Sequence, residues 1–125
     1  MNFPSKLREE LGEAFIIAKT LGAKCIKVYS KEDWKALVEK IREMPQTQTA
    51  DIQRFLFGSA QEAEPDKQGR IILPAPLREY AEIESEAVVI GLEGRAEIWN
   101  KANWEEATSP ENMEKLVDIA VQLGL

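Results

Sequence analysis

Glu64-Pro65-Asp66-Lys67-Gln68-Gly69-Arg70-Ile71-Ile72-Leu73-Pro74 is the stretch that decides the fold, since it joins a charged turn directly to a short apolar strand. Asp66 can accept a hydrogen bond from the backbone two residues on, and Gly69 adopts positive φ at little steric cost. The apolar residues 71–73 predict a buried strand that Pro74 ends. Taken alone, the turn would indicate only a surface hairpin whose charges face water.

Two parts of the chain recur at one constant offset. Residues 3–11 align with residues 73–81, and residues 28–34 align with residues 98–104. A unit that occurs twice in a short chain indicates a pseudo-twofold domain, in which neither half buries its apolar surface alone. The sequence therefore predicts two related halves that share one core.

With this repeat in view, the turn resembles a signature of the MraZ family of bacterial transcriptional regulators. The matching segments are residues 66–74, 77–81, 88–91 and 97–99, together with the linker 55–60. The resemblance implies an α+β fold, a pseudo-twofold double SpoVT/AbrB-type swapped-hairpin β-barrel flanked by helices.

The start of this chain departs from the family pattern. Each half of the family begins with a strand and an Asp-x-x-Gly-Arg turn, whereas this chain begins with Met1-Asn2-Phe3-Pro4, where that turn should already have passed. We therefore expect the first half to lack its N-terminal strand pair and to leave an open sheet edge. A neighbouring subunit could fill the gap; a misassigned start codon or a truncated sequence would explain it equally well.

The length of 125 residues fits one domain. We divide it into a truncated first half (1–45), a linker with a short helix (46–59), a complete second half (60–107) and a C-terminal helix (108–125). The linker helix is expected over residues 51–57, after a polar connector at residues 46–49. In the second half, residues 61–64 are expected to pair with residues 71–73 through the turn.

The first half has clear local signals. Pro4 and Gly12 bracket a short helix, and residues 15–18 and 25–29 read as two strands of a hairpin. Ser30 is expected to cap the next helix. That helix carries an apolar stripe expected to belong to the core, formed by Trp34, Leu37, Val38 and Ile41. The last helix is expected to begin with Ser109 as N-cap and Pro110 at N1.

Composition excludes several classes of function. Cys25 is the one cysteine, and the chain has no histidine, so neither a Cys-His nucleophile nor the usual zinc sites can be assembled. We expect no enzymatic activity and no cofactor. No apolar run approaches the ~18 residues of a membrane span. The expected location is the cytoplasm, and the family resemblance implies association with the nucleoid.

The net charge of −6 argues against nucleic-acid binding, since phosphate contacts normally need a basic protein. Screening acts within about 8 Å at physiological salt, so a locally basic edge can still engage a phosphate. DNA affinity would then have to come from several weak copies in an oligomer.

The family resemblance implies that the turn faces DNA. Arg70 is then the main candidate for a base or phosphate contact, because its planar guanidinium suits bidentate recognition. Lys67 would contact phosphate, while Asp66 and Gly69 would shape the turn. The alternative for Arg70 is an ion pair with Asp66 or Glu64 that only holds the hairpin.

Arg78, Lys6 and Arg8 are weaker candidates for DNA contact, since they lie on helices near the same end. For Lys6 and Arg8, a solvated helix charge is the alternative interpretation.

The resemblance further implies ring-like homo-oligomers that bind double-stranded DNA at promoter repeats of the cell-division and cell-wall gene cluster. No membrane and no small-molecule substrate are expected as partners. The second hypothesis is a degenerate interaction protein that still oligomerises but has lost DNA binding. An enzyme using carboxylates such as Asp66 and Glu64 is a third class, which no visible catalytic arrangement supports.

Overall fold

The computed structural model describes residues 1–125, with seven α-helices and five β-strands. The elements are α1 (Ser5–Leu11), β1 (Phe15–Lys19), β2 (Ile26–Ser30), α2 (Lys31–Glu43), α3 (Gln46–Ser59), β3 (Gln61–Ala63), α4 (Ala75–Tyr80), β4 (Ala87–Leu92), β5 (Arg95–Asn100), α5 (Lys101–Ala107), α6 (Pro110–Met113) and α7 (Val117–Gln122). A 3₁₀ turn, Glu114–Leu116, links α6 to α7. The predicted α+β class is confirmed.

All five strands lie in one antiparallel sheet of order β3-β1-β2-β5-β4. The hairpins β1–β2 and β4–β5 meet where β2 pairs with β5, and Val28 lies opposite Ala96. The sheet is open, with β3 and β4 as its two edges.

The core lies where the two hairpins and the short helices meet. Phe15, Ile26, Val28 and Ile98 are fully buried, and the ring centroids of Phe3 and Phe15 are 4.7 Å apart. Residues from both halves of the chain form this single cluster. Removing such side chains from water is the main favourable term in folding, so the halves depend on each other for stability.

The N-terminal residues pair with the segment that follows the turn. Asn2 forms an antiparallel bridge with Arg70, and the Phe3 amide donates to the Gly69 carbonyl at 2.7 Å. The Ile71 amide donates to the Met1 carbonyl at 2.8 Å. The short segment of residues 1–3, in the first half of the chain, therefore stabilises the base of the turn, which lies in the second half.

The predicted pairing of residues 61–64 with residues 71–73 is wrong. β3 instead pairs with β1, which places Ala63 opposite Phe15. The start of the 71–73 segment lies beside residues 1–3. Two backbone hydrogen bonds close the turn itself, from the Asp66 amide to the Arg70 carbonyl at 2.8 Å and from the Gly69 amide to the Asp66 carbonyl at 2.9 Å. The two segments diverge beyond the turn, since β3 pairs with β1 and the other segment lies beside residues 1–3. Residues 71–73 do not form the predicted strand, because only an isolated bridge forms there.

The apolar segment after the turn is only partly buried. Ile71 and Leu73 are 3% and 8% exposed, but Ile72 between them is 89% exposed. Successive side chains of an extended chain point to opposite faces, so Ile72 faces away from the core that holds its neighbours. The prediction of burial was wrong for this one residue.

The helices of the first half follow their sequence signals. Gly12 ends α1 with φ of 95°, and the Ser30 hydroxyl caps α2 by accepting the Asp33 amide at 3.1 Å. The predicted apolar stripe of α2 is less buried than expected. Ile41 is buried, whereas Trp34 and Val38 are half-buried, as is Leu37.

Helix α3 is longer than predicted. It covers the supposed polar connector, and it continues through Gly58 to Ser59. Thr49 is buried within it and accepts a hydrogen bond from the Gln53 side chain at 3.0 Å. At the far end, the Ser59 hydroxyl accepts the Lys19 amide of β1 at 3.1 Å. Contacts with the sheet therefore stabilise a polar sequence as helix.

The C-terminal helix is interrupted rather than continuous. The Ser109 side chain makes no capping hydrogen bond to a backbone amide of α6, although Pro110 stands at N1 as predicted. The 3₁₀ turn then separates α6 from α7, and the apolar residues of this segment stay exposed. No helix in the structure has both the length and the apolar character needed to span a bilayer.

Candidate nucleic-acid interface

Asp66 organises the turn. Its Oδ1 accepts the amides of Gln68 and Arg70, both at 2.9 Å, and the Gly69 amide donates to the Asp66 carbonyl at 2.9 Å. Gly69 has φ of 80°, the left-handed region that favours glycine. The two residues predicted to shape the turn therefore take the geometry that the sequence indicated.

Arg70 lies at the exposed base of the turn. Its Nε donates to Asp66 Oδ2 at 3.2 Å, which is the ion pair considered as an alternative to DNA contact. The Arg70 side chain is nevertheless 57% exposed. Exposed ion pairs contribute about 0–1 kcal/mol, and this one uses Nε, so the terminal nitrogens are left for another acceptor. The pair orients Arg70 without occupying its bidentate edge.

Hydrogen bonding lowers the pKa of Asp66 below its ordinary value. The Arg70 amide makes the largest contribution and the Gln68 amide a further one, while the nearby Arg70 guanidinium acts in the same direction and desolvation opposes them. The carboxylate therefore stabilises the folded turn when it is ionised.

We expect Asp66→Ala to lower the Tm at pH 7, because three hydrogen bonds of the turn are lost. The folded pKa lies below the unfolded one, so this stabilisation is present above about pH 4 and is lost as pH falls through the folded pKa. The Tm difference between wild type and variant should therefore shrink in acid. Thermal unfolding followed by circular dichroism from pH 7 to pH 2 tests this.

The matched control is Asp51→Ala, which removes an exposed carboxylate that pairs with Arg54 on α3 at 2.9 Å. It should alter the Tm little. A constant Tm difference for Asp66→Ala at every pH would contradict a role for the ionised carboxylate.

Arg8 packs beneath the turn. Its guanidinium carbon would lie 3.3 Å from a Cβ added at Gly69, and its Nε is buried without a hydrogen-bond partner. The helix α1 thus places one of the weaker candidates directly against the turn. Its half-buried position makes Arg8 a support for the Gly69 backbone more than an exposed contact.

Lys67 and Gln68 form the exposed tip of the turn. Gln68 was missed by sequence reasoning, although it stands inside the motif between the predicted Lys67 and Gly69. Its amide can both donate and accept, the property by which glutamine reads adenine in the major groove. The tip therefore offers a charged donor and a neutral hydrogen-bonding group side by side.

The structure does not bring Arg78 and Lys6 to the turn in the same way. Arg78 Nε donates to the Leu73 carbonyl at 3.0 Å. It lines a cleft that also contains five glutamates: Glu79, Glu82, Glu84, Glu86 and Glu105. Such a cleft repels phosphate. Lys6 is exposed on α1, and no hydrogen bond or ion pair joins it to the turn.

Other chemistry-bearing groups form no site. Cys25 is buried, and burial raises the pKa of its thiol, which bonds to the Thr20 hydroxyl at 3.3 Å. No cluster of three cysteine or carboxylate side chains is arranged to hold a metal.

The fold and the turn together define a class: small α+β proteins that present an Asp-x-x-Gly-Arg turn beside an antiparallel sheet built from two adjacent hairpins. The family model described as "MraZ protein, putative antitoxin-like" matches residues 56–120. This chain belongs to the MraZ family, and the resemblance seen in its sequence is confirmed.

Three similar proteins are each named "Transcriptional regulator MraZ". The one from Heliobacterium modesticaldum is 48% identical over 124 residues, covering 92% of this chain and 85% of that relative. The one from Acetivibrio thermocellus is 44% identical over 127 residues, covering 98% and 87%. The one from Alkaliphilus oremlandii is 40% identical over 129 residues, covering 100% and 90%.

Proposed function

We propose that this protein is a DNA-binding transcriptional regulator that reads a specific sequence through the turn at residues 65–70. The observation that carries the proposal is the exposed Arg70 guanidinium, oriented by Asp66 through Nε alone. The names of the relatives support a regulatory role. In this scheme Arg70 contacts a base edge or a phosphate, Lys67 contacts phosphate, and Gln68 reads a neighbouring base.

We also propose that the protein works as an oligomer on the chromosome, in the cytoplasm. The net charge of −6 makes one copy a weak ligand for DNA, so affinity has to be built from several turns acting together. Promoter repeats of the cell-division and cell-wall gene cluster are the proposed target, by family resemblance alone. Repeated DNA sites would allow the turns of several subunits to bind the same stretch of DNA at once.

The proposed architecture is one domain with two related halves, residues 1–45 and 60–107, joined by residues 46–59 and followed by residues 108–125. Exchange of strands between the halves supports it. Residues 1–3 pair with residues 69–71 of the second half, while β3 pairs with β1 of the first. This exchange is what a swapped-hairpin unit requires, and the proposed assembled form is the family's double barrel.

Arg70→Ala should weaken DNA binding strongly. A bidentate arginine contact discriminates bases by about 1–3 kcal/mol, so loss of one contact costs about 5- to 150-fold, and several copies multiply the loss. The measurement is an electrophoretic mobility shift with promoter-repeat DNA at low salt, repeated at rising salt. Affinity for unrelated DNA should fall less than affinity for the repeats.

Arg54→Ala is the matched control, because Arg54 is also an exposed arginine paired with an aspartate, on α3. It should bind DNA as the wild type does. Equal shifts for wild type and Arg70→Ala would exclude DNA reading by Arg70. Absence of any shift at low salt would favour the second hypothesis, an interaction protein that does not bind DNA.

A further inference from the structure

Exposed apolar side chains are concentrated at one end of the chain. Seven of the ten large apolar residues that the fold leaves exposed lie between Met113 and Leu125. Val121 is 69% exposed and Leu123 is 70% exposed. Soluble proteins rarely leave such apolar residues contiguous and uncovered, so this segment marks an interaction surface.

Helix α7 is apolar over most of its circumference. Its polar side chains, Asp118 and Gln122, are four residues apart and therefore share one narrow stripe. An amphipathic surface helix would instead have a broad polar face opposite its apolar one. A helix of this composition is suited to insertion into a groove that covers it on more than one side.

The corresponding segment of the first half is already covered. Helix α3 follows α2 much as α7 follows α5, and α3 packs on β1 with Leu56 only 5% exposed. The apolar side chains of α7 are not buried in this way, since Val117 and Ile119 are 56% and 54% exposed. The two halves differ in that only the second half leaves this helix without a cover.

A complementary surface lies between α2 and α3. These helices enclose a groove of about 510 Å³ whose apolar lining includes Trp34, Val38, Met44 and Phe57. Met44 is 49% exposed and is another of the ten exposed apolar residues. Most of the uncovered large apolar side chains of the chain thus lie either on the C-terminal segment or in this groove.

Charge complementarity selects the occupant of the groove. Arg42 is the one charged residue that lines it. Asp118 is the one charged side chain within residues 117–125. An apolar helix with a single carboxylate fits an apolar groove with a single guanidinium, and both are encoded in the same chain.

We propose that residues 117–125 of one copy insert into the α2–α3 groove of a second copy. This inference rests on the self-assembly in the proposed function, and it names the two surfaces that join the subunits. The contact is heterologous, since each copy contributes one segment and one groove. Repetition of a heterologous contact produces a ring when the rotation closes.

The test is the molar mass of the full chain by size-exclusion chromatography with light scattering. Wild type is expected to be a multimer. Val121→Asp on the segment and Met44→Glu on the groove should each give monomers, because a charge is forced into the apolar contact. Leu21→Asp is the matched control, since Leu21 is 57% exposed but lies outside both surfaces. It should assemble as wild type does.

Mixing the two defective variants gives a sharper result. The Met44→Glu copy keeps an intact segment, and the Val121→Asp copy keeps an intact groove, so the mixture should form one-to-one dimers that cannot extend. A mixture that stays monomeric would overturn the proposal. Assembly of Met44→Glu on its own, the result expected of a symmetric contact between two C-terminal segments, would overturn it as well. Circular dichroism of each variant verifies the fold, which surface substitutions should preserve.

The remaining outcomes separate this inference from the proposed function. A wild-type multimer that neither variant disrupts would overturn the segment–groove contact and leave oligomeric regulation intact. A wild-type protein that is monomeric at every concentration, with or without promoter-repeat DNA, would overturn both.

Discussion

Phe15→Ala is expected to lower the free energy of unfolding by about 3–5 kcal/mol, the usual cost of truncating a buried phenylalanine. Phe15 is fully buried on β1, contacts the Phe3 ring and lies opposite Ala63 of β3. It therefore joins three segments of the core. Marginally stable domains have about 5–15 kcal/mol in total, so the variant should be partly unfolded near physiological temperature. Urea denaturation followed by tryptophan fluorescence measures the change.

Ile72→Ala is the control for Phe15→Ala. Ile72 is a large apolar residue in the second half, but it is 89% exposed, so its truncation should change stability by no more than about 0.5 kcal/mol. Comparable losses for the two variants would mean that Phe15 is not at the centre of a shared core. Loss of one half's structure alone would show in non-coincident transitions by fluorescence and circular dichroism.

Gly69→Ala is expected to destabilise the protein and to weaken DNA binding together. A left-handed conformation costs a residue with a Cβ about 1–2 kcal/mol. The new methyl would also lie 3.3 Å from the Arg8 guanidinium carbon and 3.5 Å from the Phe3 carbonyl oxygen. Since Arg8 is held against the turn, either it or the Gly69 backbone has to move. Movement there displaces Arg70, the next residue.

Gly94→Ala is the control that separates the effect of backbone strain from the effect of the contact between the new methyl group and Arg8. Gly94 has φ of 71°, close to that of Gly69, but an added Cβ there would meet no atom within 4 Å. Backbone strain should destabilise both variants by the same amount. Only Gly69→Ala should lose further stability through the contact with Arg8, and only Gly69→Ala should bind promoter DNA less well. Denaturant titrations and mobility shifts on the two proteins provide the comparison. Equal stability losses would show that Arg8 gives way without cost.

Local signals predicted the elements that depend on neighbours in sequence. Ser30 and its acceptor role at the start of α2 followed from the capping pattern, and Gly12 followed from the helix C-cap preference. The two hairpins followed from short apolar runs separated by glycine-containing turns. These features need no knowledge of the rest of the fold.

The errors arose where a distant partner decides the structure. The sequence predicts that residues 61–64 pair across their own turn, but β3 pairs with β1, a partner that no local pattern reveals. Residues 46–49 looked like a polar connector because the burial of Thr49 against the rest of the fold is not visible in the sequence. Ile72 was expected to be buried because a uniform apolar run hides which residue faces outward.

The candidate site shows the same division. Asp66 and Gly69 were predictable, since both act on the backbone of the turn itself. The position of Arg8 under Gly69 was not predictable, because it depends on how α1 lies against a turn far along the chain. The sequence does not decide between an ion pair and a DNA contact for Arg70, and the geometry accommodates both at once.

The outer edge of the sheet, formed by β4, exposes the protein to aggregation in concentrated solution. Its sequence, Ala-Val-Val-Ile-Gly-Leu, has no charge and no proline, so its unpaired backbone groups can template cross-β stacking of further chains. Glu86 and Glu93 flank the strand. We expect Glu93 in particular to oppose the stacking of copies by like-charge repulsion, since Glu86 is paired with Lys101 at 3.6 Å. We therefore expect the acidity of the chain, a disadvantage for contact with a nucleic acid, to be an advantage against aggregation.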